Sequence, residues 1–429
     1  MDLTMVLISA AVFGWGLLSA RLERTNLTAP MIFIAVGGTL AGLGLIDGPA
    51  APEAVAPLVE ITLVWVLFSD AARLPVQQLR ADLGRYVRLL AIGLPLTIAF
   101  GWALAAWFFP QLGLWLALFV GAALAPTDAA LGVPVVTNPK VPSRIRQLIT
   151  VESGLKDGIA TPIVMLAIAG AAATAGIAHA ESAGHAIVEL LIGAAVGAAV
   201  GGLGGYLMRQ ARRRETAAAD FAGIAVLALA ILAYATALST GGNGFVAAFC
   251  GGLAFGATAG RRGSAELIFL EQMGSMVSLL VWLTFGAIAI PIMLDRIDAL
   301  MIVYAILSVT IVRMVPVALS TIGAGLDRTS VLFVGWFGPR GLASLVFALL
   351  ALEALGPVAD EAVSVIAVTV LISVLAHGLS AAPLATRYGR AASLTGPEPG
   401  GPIEVAPTRG LTPVSARWSP IHHHKHTGP

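Results

Sequence analysis

Apolar segments of about 20 residues recur along nearly the whole chain, each long enough to cross a hydrocarbon core of about 30 Å. In that solvent every backbone N–H and C=O needs a partner within the protein, which leaves helices and closed barrels as the only spanning forms. The runs are continuous rather than alternating, so a barrel is excluded and an all-α polytopic membrane protein is predicted. Only 11% of the 429 residues are charged, against roughly a quarter in a soluble domain, which excludes a standard cytosolic enzyme. The net charge is +1 and the basic residues are dispersed, so no footprint for nucleic acid is present. A single cysteine, Cys250, excludes a disulfide framework and a Cys-based zinc site. No basic residue precedes the segment Leu3–Ala20 and no small-residue cleavage site comes before Arg21, so this segment is expected as a retained helix rather than a signal peptide.

Cuts at charged or turn-rich stretches give thirteen candidate spans, near 3–20, 29–46, 53–69, 87–109, 112–137, 148–171, 183–207, 220–239, 243–258, 266–290, 297–323, 330–354 and 361–384. The connections alternate in charge. Arg21 and Arg24 follow the first span; Arg73, Arg80, Arg85 and Arg88 the third; Lys140, Arg144 and Arg146 the fifth. Arg209, Arg212, Arg213 and Arg214 follow the seventh, Arg261 and Arg262 the ninth, and Arg328 the eleventh, whereas the even connections contain only Arg296. The positive-inside rule makes the odd loops cytoplasmic, with the N-terminus outside and the C-terminal end inside a cell (inner) membrane. Two units follow: a transmembrane domain over 1–386, and a Pro- and Gly-rich segment, 387–429, expected to be a disordered cytoplasmic tail. The histidines at its end, His422, His423, His424 and His426, are expected to be incidental rather than a metal site.

Lys156, Arg313 and Arg340 lie within apolar spans, as do Glu60, Asp70, Asp128, Glu152 and Asp157. An unpaired charge near the bilayer centre costs at least about 2.5–3.5 kcal/mol, so such residues face a partner or a water-filled cavity. Their number points to an ion or proton path. The sixth span holds the densest cluster, Glu152-Ser153-Gly154-Leu155-Lys156-Asp157-Gly158. On a helix Glu152 and Lys156 share a face, and so do Ser153 and Asp157. A carboxylate flanked by a hydroxyl can replace part of the hydration shell of a hard cation, and desolvation lets a proton compete for the same oxygen. A purely structural ion pair between Glu152 and Lys156 is the competing reading, and it leaves Asp157 in need of another partner.

Two spans carry helix breakers beside polar groups: Ala125-Pro126-Thr127-Asp128 in the fifth and Gly338-Pro339-Arg340-Gly341 in the twelfth. In transporters, discontinuous helices at corresponding places of two inverted halves put half-helix ends at the midplane, where they meet ions and substrate. Asp128 suits exposed helix N-termini and Arg340 exposed C-termini. Simple proline kinks with snorkelling charges are the alternative.

The sequences VLFSDAARL, ALAPTDAAL, VESGLKDGIATP, LSVTIVRMVPV, GWFGPRGLASLVFAL and AHGLSAAPLA occur in register from the first span to Arg387. In this the chain resembles the monovalent cation:proton antiporters, in the branch of bacterial NhaP-type proteins and animal sodium/proton exchangers. The resemblance implies about thirteen helices in two six-helix inverted repeats, with crossed discontinuous helices at the fifth and twelfth positions. It implies interleaved dimerisation and mobile core subdomains, a homodimer in the lipid bilayer, and elevator-like alternating access. It implies that Asp157 binds cation and proton alternately, that Ser153 and Thr127 are hydroxyl ligands, and that Asp70 is an accessory acid. Glu152 and Arg313 match a buried ion pair joining the sixth and eleventh helices, while Asp128 and Arg340 match residues that compensate broken-helix dipoles.

The chain departs from that pattern at Lys156, where this branch usually has Asn before the key Asp. Three outcomes are open: Lys156 points at Glu152 and leaves Asp157 available, it releases a proton when a cation arrives, or it stands in for the transported cation and abolishes exchange. The function expected is antiport of a monovalent cation, sodium before lithium or potassium, for protons in pH and salt homeostasis. The rivals are a proton-coupled transporter of a small anion or organic solute, using Lys156 and Arg340, and a transport-inactive membrane sensor. No Gly-x-x-x-x-Gly-Lys-Ser/Thr loop is present, which disfavours an ATP-driven pump, and no cofactor or resident metal is expected. Four further features have bland readings. His377 is expected to pack between helices, with titration near neutral pH as the alternative, and Glu60 to be an accessory acid or to pack at the edge against the fourth span. Glu189, Glu271 and Glu353 sit near span ends and read as interfacial. Gly193, Gly197, Gly201 and Gly205 mark close helix contacts, including a candidate dimer interface.

Overall fold

Long apolar runs interrupted by Pro, Gly and charge become long helices with short turns. The structure, a computed structural model, describes residues 2–45, 52–74, 83–177, 183–260 and 263–393. All regular structure in these residues is helical. We number the helices α1 (Asp2–Arg24), α2 (Ala29–Gly42), α3 (Pro52–Ala72), α4 (Leu83–Phe108), α5 (Gly113–Ala123), α6 (Ser143–Thr174) and α7 (Ala183–Arg213). There follow α8 (Ala219–Ser239), α9 (Gly244–Thr258), α10 (Gly263–Arg296), α11 (Ala299–Ser320), α12 (Arg328–Trp336), α13 (Leu342–Leu355) and α14 (Asp360–Ser393). Every expected segment therefore contains helix, and among the described residues eight helical stretches are long and apolar enough to cross a membrane by themselves. Arg80, Arg261, Arg262 and everything after Ser393, including the terminal histidines, lie outside the described residues.

Local chemistry sets several boundaries. Asn243 and Asp298 accept the backbone N–H of Val246 (3.1 Å) and Met301 (2.7 Å), capping α9 and α11 where those amides have no helical acceptor. Asp327 caps α12 through the N–H groups of Thr329 and Ser330. The boundary expected at residue 386 is corrected, because α14 runs on to Ser393. Its last turns have packing to bury: the Tyr388 ring stacks on Phe333 at 4.0 Å, its hydroxyl lies 2.6 Å from Ser330 Oγ, and Gly389 sits against Lys140.

Close helix crossings organise the bundle. A Cβ added to Gly193, Gly197, Gly201 or Gly205 of α7 would collide with Asn243, Ala247, Gly251 or Thr258 of the α9 region. The four-residue glycine stripe is thus buried within one chain, which corrects its reading as a candidate dimer interface. Small residues allow this approach, and without a hydrophobic force between helices in lipid, packing of this kind holds them together. Gly252 and Gly256 let α9 cross α3 in the same way, and Gly37 and Gly286 do so for α2 and α10.

Where two segments break, they cross. The fifth is helical to Ala123 and resumes in short turns, Ala129–Gly132 and Val133–Val136; the twelfth stops at Trp336 and resumes at Leu342. Asp128 N–H donates to Pro339 O at 2.8 Å, joining the two unwound stretches. A third interruption, absent from the sequence reading, divides α11 at Thr310 (φ −105°, ψ −88°), between Ala299–Val309 and Ile311–Ser320.

Candidate functional site

The crossing lies against the middle of α6. That helix is lined with small residues where it meets its neighbours. The Cβ that Gly154 lacks would stand 3.5 Å from Asp70 Cβ of α3, and one on Gly158 would fall within the Phe249 ring of α9. Glu152, Ser153, Lys156 and Asp157 are buried on this helix, and Thr127 and Asp128 on the crossing.

Helical periodicity splits the α6 cluster into two stripes. On one, Lys156 Nζ lies 2.6 Å from Glu152 Oε1, while Arg313 of α11 grips the same carboxylate with both nitrogens, at 2.7 and 3.0 Å. Arg313 is 1% exposed, and a third bond runs from it to Val334 O at 3.4 Å. One anion therefore serves two cations, an arrangement that bidentate geometry makes tolerable in a dry interior. On the other stripe lie Ser153, which meets the crossing at Thr127, and Asp157. Ser153 Oγ lies 3.1 Å from Thr127 Oγ1 and donates to Thr127 O. Two hydroxyls and a backbone carbonyl meet here, and Asp157, buried on the same stripe, follows one turn along α6. Hard oxygens of this kind suit an alkali cation.

Asp128 and Arg340 meet the severed helix ends in opposite senses. Leu342 N–H, at the start of α13, donates to Asp128 Oδ2 at 3.1 Å, placing an anion at a helix N-terminus. The fully buried Arg340 reaches Ala125 O (3.4 Å) just after α5 and Ser308 O (3.2 Å) at the Thr310 interruption, placing a cation where carbonyls end helices. Both glycines of Gly338-Pro339-Arg340-Gly341 are spacers: a Cβ on Gly338 would strike the Arg313 guanidinium, and one on Gly341 the Asp128 carboxylate.

Sequence reasoning missed Ser308 as a part of this assembly. No Pro or Gly flags the break at Thr310; an arginine three residues on, Arg313, was the available signal. Glu60 lies beside Tyr234 of α8. Glu271 pairs with Arg73.

The family described as "Sodium/hydrogen exchanger, transmembrane" matches residues 7–387. A K(+)/H(+) antiporter NhaP2 of Shewanella oneidensis is 27% identical over 374 residues, covering 85% of this chain and 63% of the relative. A K(+)/H(+) antiporter NhaP of Alkalimonas amylolytica is 27% identical over 403 residues, covering 90% of this chain and 67% of that protein. The chain thus spans just under two thirds of the Shewanella relative. In architecture it is similar to the sodium proton antiporter MjNhaP1 of Methanocaldococcus jannaschii, with a TM-score of 0.73 at 18% identity, covering 91% of this chain and all of that one.

Proposed function

This chain belongs to the sodium/hydrogen exchanger family, and on that premise we propose that it is a secondary antiporter exchanging a monovalent alkali cation for protons. The observation that carries the reading is the meeting of Thr127 and Ser153, 3.1 Å apart, on the stripe of α6 that also bears Asp157. Asp157 holds the cation or the proton in turn, with the two hydroxyls as neutral ligands and Asp70, packed over Gly154, as accessory acid. Because proton and cation compete for one carboxylate, occupancy by either releases the other, and coupling follows without a cofactor.

Lys156 modulates this site without occupying it. Its ammonium is turned 2.6 Å from Glu152 on the adjacent stripe, which supports the first of the three outcomes, a lysine that leaves Asp157 available. The reading as an anion carrier loses support because Arg340, one of its two cations, is directed at Ala125 O and Ser308 O. The Glu152–Arg313 pair ties α6 to α11, and Asp128 and Arg340 hold the crossed ends, so that site and crossing travel as one body. We assign that body to α4–α6 and α11–α14, moving elevator-fashion against a dimerising scaffold that includes α7–α10. The protein is a multi-pass membrane protein; residence in the inner membrane, an outer N-terminus and a cytoplasmic C-terminal end complete the proposal. Relatives carry names for both K(+) and Na(+), so sodium, potassium and lithium are all substrates to test.

The test is exchange in proteoliposomes with an imposed pH gradient, recording proton efflux and current as sodium, lithium or potassium is added. Wild type is expected to exchange at least one cation and Asp157→Asn none. Cation-driven proton efflux that survives Asp157→Asn would overturn the proposal.

A further inference from the structure

His377 of α14 is fully buried, makes hydrogen bonds with both ring nitrogens, and has no part in the cation chemistry above. Its surroundings follow from what the twelfth-segment break leaves undone. In a continuous helix the N–H of residue 340 would donate to the carbonyl of residue 336, four positions back. Here that bond is absent: the Arg340 N–H instead donates to Ser373 Oγ at 2.7 Å, and the Trp336 carbonyl, at the end of α12, lies 2.9 Å from His377 Nε2. The two halves of one severed hydrogen bond are thus each completed from α14, by residues four apart on one face. Gly338 N–H also turns back to Trp336 O at 2.8 Å, tightening the last turn before the break.

The same face braces the flanking side chain. The Trp336 indole lies over the His377 ring, centroids 5.1 Å apart, and its Nε1–H donates to Ser380 Oγ at 3.0 Å. Nδ1 of His377 lies 3.2 Å from Ser373 Oγ and 2.8 Å from Ser373 O, so histidine and serine also bind each other. Downstream, the residues held this way are the ones that reach the site. Pro339 O receives the Asp128 N–H, the Arg340 side chain spans Ala125 O and Ser308 O, and Asp128 caps α13 beside Thr127.

We propose that His377 and Ser373 form a surrogate hydrogen-bond clamp: they replace the missing bond between residues 336 and 340, hold the twelfth segment unwound, and so position Thr127 and Asp128 at the cation site. His377 is a positioning residue in this scheme. In the tautomer that the clamp uses, Nε2–H donates to Trp336 O and Nδ1 accepts from the Ser373 hydroxyl. Glutamine at 377 retains a terminal N–H for the Trp336 carbonyl, whereas leucine leaves that carbonyl with the Gly338 N–H alone.

This inference rests on the antiport reading, and the experiment separates the two. Wild type, H377L, H377Q and S373A are reconstituted, and the KM for the transported cation, kcat and the pH profile are measured. H377L and S373A are expected to raise KM about tenfold with kcat within about twofold, the scale of one buried hydrogen bond lost. H377Q is expected to restore KM to within about threefold of wild type and to overlay its pH profile. Cation-induced thermal stabilisation provides a second readout of binding, and should weaken in the same order. Unchanged KM in both H377L and S373A would overturn the clamp while leaving antiport intact. A shifted pH profile in H377Q would replace positioning by a titrating histidine. A wild type inert to sodium, lithium and potassium would remove the antiport reading, and the clamp's role at a cation site with it.

Discussion

Replacing Glu152 by Gln tests the buried charge arrangement directly. Lys156 Nζ and Arg313 Nη1 lie 2.6 and 2.7 Å from the same carboxylate oxygen. That places the two cations about 4–5 Å apart, and at an effective dielectric constant of about 20 their repulsion is about 3–4 kcal/mol. In the native protein the shared anion outweighs this repulsion; glutamine does not. Glu152→Gln is therefore expected to destabilise by about 3–5 kcal/mol, the cost of leaving buried charge uncompensated. Lys156→Met removes one of the two cations and leaves a neutral bidentate Glu152–Arg313 pair, so its effect should stay within about 1–2 kcal/mol in either direction. Unfolding of the detergent-purified protein, followed at one heating rate because it is irreversible, should show Glu152→Gln melting about 5–10 °C below wild type and Lys156→Met close to it. A Glu152→Gln protein as stable as wild type, or a Lys156→Met protein destabilised as much as Glu152→Gln, would refute the assignment of one anion to two cations.

Four other outcomes follow from the same geometry. Gly341→Ala places a Cβ in the Asp128 carboxylate, so exchange should fall at least tenfold while Gly14→Ala, in open space on α1, has no effect; proteoliposome flux decides between them. Gly201→Val drives a branched side chain into the Gly251 backbone and should cost about 2 kcal/mol or more, read as a lower melting temperature and reduced yield of folded protein. Tyr388→Ala removes both the ring stacked on Phe333 and the hydroxyl at Ser330, a loss of about 3 kcal/mol measurable by thermal unfolding. Asp327, outside the apolar spans, has its carboxyl held below the usual range by hydrogen bonds from Ser330 and Thr329. A depressed folded-state pKa stabilises above the unfolded value and is lost as pH falls through the folded one. Asp327→Ala should therefore cost about 1 kcal/mol at pH 7, and the difference from wild type should shrink as the pH is lowered below about 4.

Much of the bundle is legible because lipid imposes a length and a composition on each span, and because Pro-Thr-Asp and Gly-Pro-Arg-Gly inside apolar runs have few uses other than a break. The α6 stripes are legible too: spacing of four puts Glu152 with Lys156 and Ser153 with Asp157 before any coordinate is known. What the sequence withholds is which carbonyl meets which side chain across the bundle. Arg340 completes Ala125 O, 215 positions away, and Ser308 O, freed by a break that has no Pro or Gly at its centre. Tyr388 extends α14 beyond the apolar run only because Phe333 and Ser330 lie there to receive it.

Both failures have one cause. Local pattern shows where a helix loses its own hydrogen bonds, whereas the replacement partners come from helices whose positions are set by packing elsewhere. The glycine stripe of α7 makes the same point in reverse, since its spacing predicts a close contact but not that α9 of the same chain fills it. A residue such as His377, unremarkable among the apolar residues of its span, acquires a role only when the broken ends at Trp336 and Arg340 are brought against it. Buried polar residues in a membrane bundle are therefore best read as partners for known breaks, and each severed backbone bond should be traced to the side chains that replace it.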